Sequence, residues 1–291
     1  MKGRLSAAWK AASGFVSTHR RWAARGAVGV GAAFIVLLVH RSTYGVLVAD
    51  PHYKPKAIAR VQVAPMWGAG ESTVEMPADL SLFDDGLVER IGKAFERNPW
   101  VKRVTAVERA FPDAIRVRFE ARRPHLAVRR ADGVTLVDAD GVRLPGVYAS
   151  APACACPVEV TGVAGAPPAA GTKWLDADVL AGRELAELAA RTPALAALGV
   201  RSVDVSNVGG RVDRRRPDAA LVTAKGCTIW WGRSPSSPGF GEPGAQEKLD
   251  MLAGVCREYP NLDGLKYVKL NGGGRAAVGP AETGVGRRTQ R

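Results

Sequence analysis

The stretch from Phe95 to Pro124 constrains the fold more than any other part of this chain. Ile115, Val117 and Phe119 alternate with Arg116, Arg118 and Glu120, the period-two pattern of a strand with one wet face. Before it come a turn at Phe111-Pro112-Asp113 and an earlier strand. Upstream, Leu87, Val88, Ile91, Ala94 and Phe95 recur at helical spacing. Ser81-x-x-Asp84 resembles a capping box for that helix, and Asp85 adds negative charge near its start. Asn98-Pro99 stops it, because a residue before proline avoids the α region. A helix on a small antiparallel sheet is the least this implies, so the fold class is α+β.

The net charge of +13 is unevenly placed. Residues 1–41 carry seven Lys and Arg and no acid, which leaves +6 for the rest. That distribution argues against nucleic acid, which needs the charge on a folded face. What the basic residues flank is the uncharged apolar run Gly26–Val39. Extended to Trp22, with Arg25 snorkelling, it approaches the ~20 residues that span a bilayer. A transmembrane helix is expected over 22–41, after a mobile basic tail over 1–21, and the positive-inside rule keeps that tail cytoplasmic. A cleaved signal peptide fits less well: Leu47-Val48-Ala49 is a poor cleavage site and the basic segment is long.

After a short link, Ala57–Val63 reads as a strand and Ala64–Pro77 as a loop. From Arg123-Pro124 a second unit begins. Its hairpin signal is Ala131-Asp132-Gly133, followed by short strands near Val142–Leu144 and Pro157–Gly162. Asp176 or Asp178 caps a helix ending before Pro193. Strands follow at Val200–Ser206 and on either side of Lys225-Gly226, a two-residue hairpin loop. Arg211–Asp218, with Arg214-Arg215-Arg216, reads as a solvated loop. A helix over Gln246–Tyr259 and a last strand over Leu265–Leu270 close the unit, and the composition from Gly272 onward reads as disordered.

Catalysis and cofactors find no support. No H-E-x-x-H, G-x-S-x-G or Walker A occurs, and His125 reads as a rim residue. Gly239–Gly244 fits G-x-G-x-x-G in form, but it follows Ser-Pro-Ser-Ser-Pro rather than a strand. Cys154-Ala155-Cys156 lacks metal-site spacing. Cys256 reads as a buried thiol, and a disulfide from Cys154 or Cys156 to Cys227 or Cys256 stays open.

Several segments fall in an order that resembles the FtsQ/DivIB family of bacterial division proteins. They are Asn98-Pro99-Trp100-Val101, Phe111-Pro112 with Ile115-Arg116-Val117, Arg122-Arg123-Pro124, Val137-Asp138-Ala139-Asp140-Gly141, Gly232-Arg233, Lys248-Leu249 and Tyr267-Val268-Lys269-Leu270. The resemblance implies a cytoplasmic tail (1–21), one membrane helix (22–41) and a POTRA domain of β-α-α-β-β order (57–124). It implies next a mainly antiparallel β domain with flanking helices (125–271) and a C-terminal tail (272–291). It also implies a non-catalytic, single-pass inner-membrane scaffold at the division septum. Its bulk would be periplasmic, with partners of the small coiled-coil FtsB/FtsL type and no small-molecule substrate. By position, Tyr267, Val268, Lys269 and Leu270 are the expected partner-binding residues, through an exposed strand edge. Trp230 and Trp231 offer a second surface, because adjacent strand residues face opposite ways. POTRA domains also serve outer-membrane assembly and secretion, but no run of alternating barrel strands follows here.

Overall fold

The computed structural model describes residues 2–62, 74, 76–77, 80–152, 154–272 and 275–280. The loop expected over Ala64–Pro77 lies largely outside them, as does much of the tail expected over 272–291. Two compact units form. The described residues within 1–61, 75–94 and 106–118 make the first; those within 62–74, 95–105 and 119–291 make the second.

The chain begins as one continuous helix, α1 (Lys2–Ala49). The expected mobile tail over 1–21 is instead its opening part. Ala, Arg and Lys make up nearly half of it, and no proline interrupts before Pro51. The portion long and apolar enough to cross a membrane is Arg25–Ala49, displaced towards the C-terminus from the expected 22–41, and its mean hydropathy is 1.7. Asp50-Pro51 ends the helix, and the Asp50 carboxylate accepts the His52 N–H at 2.8 Å. Within the same unit, Tyr44 Oη donates to the Phe83 carbonyl at 2.5 Å and accepts the Asp85 N–H at 3.1 Å.

A three-stranded sheet of order β1-β3-β2 follows. It comprises β1 (Ala57–Gln62), β2 (Val101–Ala110) and β3 (Ala114–Ala121), with α2 (Leu87–Glu96) between β1 and β2. Ile115 and Val117 are fully buried and Phe119 nearly so, which realises the alternation read from sequence. Leu87, Ile91, Ala94 and Phe95 are buried on α2, whereas Val88 is exposed. The capping box does not form: α2 starts three residues after Asp84, whose carboxylate instead accepts the Gly86 N–H at 2.9 Å. Of the two helices expected in β-α-α-β-β order, one stands between β1 and β2 among the described residues.

The second unit is built on eight strands in the order β11-β10-β9-β8-β7-β6-β4-β5. They are β4 (Pro124–Arg130), β5 (Gly133–Asp138), β6 (Glu159–Thr161), β7 (Val200–Asp204), β8 (Ala219–Thr223), β9 (Thr228–Gly232), β10 (Leu265–Lys269) and β11 (Ala277–Pro280). Four neighbouring pairs are antiparallel, and three (β4–β6, β6–β7 and β9–β10) are parallel. Parallel neighbours need long crossovers. Helices α3 (Ala177–Arg191) and α4 (Pro193–Ala197) cross between β6 and β7, and α5 (Ala245–Glu258) between β9 and β10. One core joins Trp174, Leu185, Val160, Val203, Leu221, Ile229, Trp231, Leu252 and Val268, so the helices cover one face of the sheet.

Several expectations change in this unit. Val142–Leu144 is no strand but makes single bridges, Val137 with Arg143 and Val142 with Lys173. Neither acid caps α3 by side chain. Asp176 accepts from Trp174 Nε1 at 3.2 Å, and Asp178 from the Ala164 N–H at 3.0 Å. The Lys225-Gly226 loop is longer by one residue. Thr223 and Cys227 close it, and Gly226 takes the left-handed φ of 83° that such a loop needs. All four cysteines are free thiols, and burial pushes those of Cys154 and Cys227 up to about 11. Cys256 is half-buried. The largest correction concerns the C-terminus: Ala277–Pro280, expected to be disordered, pairs antiparallel with β10.

The helix-on-sheet seam is tight at Gly182. A Cβ there would lie 2.6 and 2.9 Å from the two Val160 methyls and 3.2 Å from Val205 Cγ1. Alanine would add about 1 kcal/mol of helix propensity, yet Gly182→Ala is expected to destabilise by about 1–3 kcal/mol through overpacking. Chemical denaturation of the variant checks the sign.

Candidate interaction surface

The expected partner-binding residues separate by strand alternation. Val268, Leu270 and Trp231 are fully buried in the core. Trp230, Tyr267 and Lys269 lie on the opposite face. The Trp230 and Tyr267 rings stack, with centroids 5.1 Å apart and planes 17° from parallel. Lys269 Nζ sits 4.3 Å from the Trp230 centroid and 5.2 Å from that of Tyr267, a cation held over two aromatic faces.

Strand register orders this face into two rows. One runs Asp204–Ala220–Trp230–Lys269–Ala277 across β7, β8, β9, β10 and β11; the other runs Val222–Thr228–Tyr267–Gly279. Both end on small residues of β11. At Gly279 the absence of a side chain is required, since a Cβ would overlap the Tyr267 ring. The aromatic platform therefore runs open to the rim of the sheet.

That rim is not where the sequence placed it. β10, expected to present the edge, is paired on both sides, by β9 and β11. The sheet ends instead at β11, whose outer backbone groups have no partner strand among the described residues. The other end is less open, because β5 is bridged by Arg143 and Tyr148.

Beside the platform lies a concavity of about 260 Å³ lined by Asp204, Asn207, Arg216, Asp218, Trp230 and Tyr267, among others. Its wall is the segment read as a solvated loop. Its arginines are exposed, but its backbone is braced. Asn207 Nδ2 donates to the carbonyls of Asp213, Arg216 and Pro217 at 2.9–3.0 Å. Asn207 Oδ1 accepts the N–H groups of Val212 and Asp213 at 2.9 and 2.8 Å. Gly209 and Gly210, at φ 73° and 68°, supply the left-handed backbone of this turn. The sequence signal was an Asn followed closely by Gly-Gly; its five-bond role needed the folded loop.

The G-x-G-x-x-G segment does open α5, within a parallel β9–α5–β10 crossover. Its chemistry is nevertheless closed to a phosphate. Glu242 accepts the N–H of Gly239 at 2.8 Å and of Arg233 at 3.0 Å, and Lys248 Nζ donates to it at 2.6 Å. An internal carboxylate thus occupies the donors a ligand anion would seek. Burial raises the Glu242 pKa, but these hydrogen bonds outweigh it and hold the carboxyl below its usual range. Lys248 is itself only 2% exposed and lies 4.9 Å from the Trp231 centroid. Nothing in the sequence marked this pair.

His125 Nε2 is 3.1 Å from Glu187 Oε1, a hydrogen-bonded contact at the rim beside the buried Cys156. Among the described residues no cluster of three His, Cys, Asp or Glu could hold a metal. No protein-family model matches the chain, and no curated protein matches it in sequence.

Proposed function

We propose that this chain is a non-catalytic membrane scaffold of the bacterial divisome, of the FtsQ/DivIB kind, which recruits a partner by strand addition to β11. The observation that carries the reading is the edge of β11, which has no partner strand among the described residues, at the end of an eight-stranded sheet. Such an edge presents backbone donors and acceptors in register for an incoming strand. Two features support it. One N-terminal helix is long and apolar enough to cross a membrane. The three-stranded sheet has the order β1-β3-β2 with a helix inserted after its first strand, compatible with a POTRA unit over about 57–124.

In this reading the basic N-terminal end of α1 is cytoplasmic and the residues that follow α1 are exoplasmic. Partners are small coiled-coil division proteins of the FtsB/FtsL type. The partner surface moves one strand outward from the expected Tyr267–Leu270 segment to Ala277–Pro280, because β11 covers the edge of β10. Imaging a fluorescent fusion of the full chain in dividing cells of its source organism tests this. A midcell band is the expected result. A uniform envelope signal would sink the division reading and favour a role in envelope assembly or secretion.

A further inference from the structure

Arg214, Arg215 and Arg216 are consecutive, exposed and without a carboxylate partner among the described residues. Neighbouring cations are paired: Arg211 with Asp178 at 3.4 Å and Arg233 with Asp218 at 3.6 Å. Three adjacent guanidinium groups repel one another, and a flexible loop would let them splay apart in water. This loop is not left free. Asn207 fixes it through five hydrogen bonds, Asp213 Oδ1 accepts the Arg215 N–H at 2.9 Å, and the Asp213 carbonyl accepts the Arg216 N–H at 3.0 Å. Arg211 ties the loop base to the Ser206 carbonyl at 3.1 Å. Two left-handed glycines and a buried asparagine hold three unpaired arginines at one place. That pre-organises the backbone for an anion, so that on binding the ordering cost falls on the arginine side chains alone.

The loop shares its concavity with the Trp230–Tyr267 platform, and Lys269 lies on that platform with no carboxylate in ion-pair reach among the described residues. The carboxylates lining the concavity are already engaged: Asp204 accepts the Ser206 N–H at 2.9 Å and Asp218 pairs with Arg233. The row through Trp230 and Lys269 leads to Ala277 on β11. A ligand on the arginine loop can therefore continue across the aromatic face to the open edge, and only a polypeptide can use all three. Its backbone would add to β11, its apolar or aromatic side chains would rest on the platform, and its carboxylates would meet the guanidinium forks.

We propose that the Asn207-braced arginine loop and the Trp230–Tyr267–Lys269 platform form one basic–aromatic surface that takes an acidic polypeptide segment. That segment belongs to the partner whose strand adds to β11, so the inference rests on the proposed function while its test does not.

Fluorescein-labelled deca-glutamate is the probe, titrated into the full chain in neutral-lipid nanodiscs and followed by anisotropy. The triple variant Arg214→Ser/Arg215→Ser/Arg216→Ser is expected to weaken binding about tenfold or more. The charge-matched control Arg97→Ser/Arg123→Ser/Arg201→Ser removes three exposed arginines elsewhere and is expected to change it less than about threefold. Raising the salt from about 0.05 to 0.3 M should weaken wild-type binding steeply, as screening demands. Absence of binding, or equal losses in the two triple variants, would overturn the inference and leave the midcell result untouched. Tighter, loop-dependent binding of polygalacturonate than of deca-glutamate would overturn it in favour of an anionic glycan.

Discussion

A single proline in β11 is expected to abolish partner recruitment while the protein stays folded. Residues along an antiparallel strand point their N–H groups alternately towards the neighbour and away from it. Of Ala277→Pro and Val278→Pro, one therefore removes a bond to β10 and the other removes only an outward donor. The outward variant should unfold at wild-type denaturant concentration yet lose the midcell band, because a missing bond in a desolvated strand pair costs about 1–3 kcal/mol, or roughly five- to 150-fold in affinity. Proline at 268 or 270 would test something else. Val268 and Leu270 are fully buried in the core, so those variants should fail to fold. A midcell band retained by both β11 variants would move recruitment away from this edge.

Removal of the Glu242 carboxylate should produce the largest loss of stability among polar substitutions. Glu242→Ala leaves the Lys248 ammonium buried beside Trp231 without its counter-charge, and leaves the Gly239 and Arg233 N–H groups without an acceptor. Breaking one half of such a pair costs about 3–5 kcal/mol. The double variant Glu242→Gln/Lys248→Met, which removes both charges and keeps the volume, should recover much of that loss. The pH dependence has a defined sign. The folded Glu242 carboxyl lies below its ordinary value of 4.5, so its contribution is complete above about pH 4.5 and is lost as the pH falls through the folded value. Urea denaturation from pH 7 to pH 3 should accordingly show a shallower acid decline for the double variant than for wild type. Equal slopes would mean that other carboxylates carry the acid response.

The parts of the fold legible in the sequence are those where a period was written in side chains. The alternation of Ile115, Val117 and Phe119 and the helical stripe Leu87–Ile91–Phe95 each bury the residues they name. Trp230 and Trp231 divided between the two faces as strand geometry requires. What escaped was decided by neighbours rather than by local pattern. β11 reads Ala-Val-Gly-Pro, with one β-former among residues that disfavour strands; it is ordered because β10 offers an edge and because Gly279 clears the Tyr267 ring. The parallel pairings depend on where α3 and α5 return the chain, which no short window records. The candidate surface was half legible for the same reason. Position pointed to Tyr267, Lys269 and Trp230, which share one face, whereas the bracing of Arg214–Arg216 rests chiefly on one asparagine side chain with help from Asp213.

The place of β11 in the chain has a consequence for synthesis. Among the described residues it follows all the other strands, so a ribosome completes the other seven members of the sheet before the edge proposed to recruit exists. A chain cut short of Ala277 would expose β10 instead, with Tyr267 on one face and Val268 on the other, an apolar rim prone to self-association. On the proposed function, competence to recruit is thereby tied to translation through β11: copies cut short of it would be steered towards aggregation and proteolysis rather than towards half-assembled complexes.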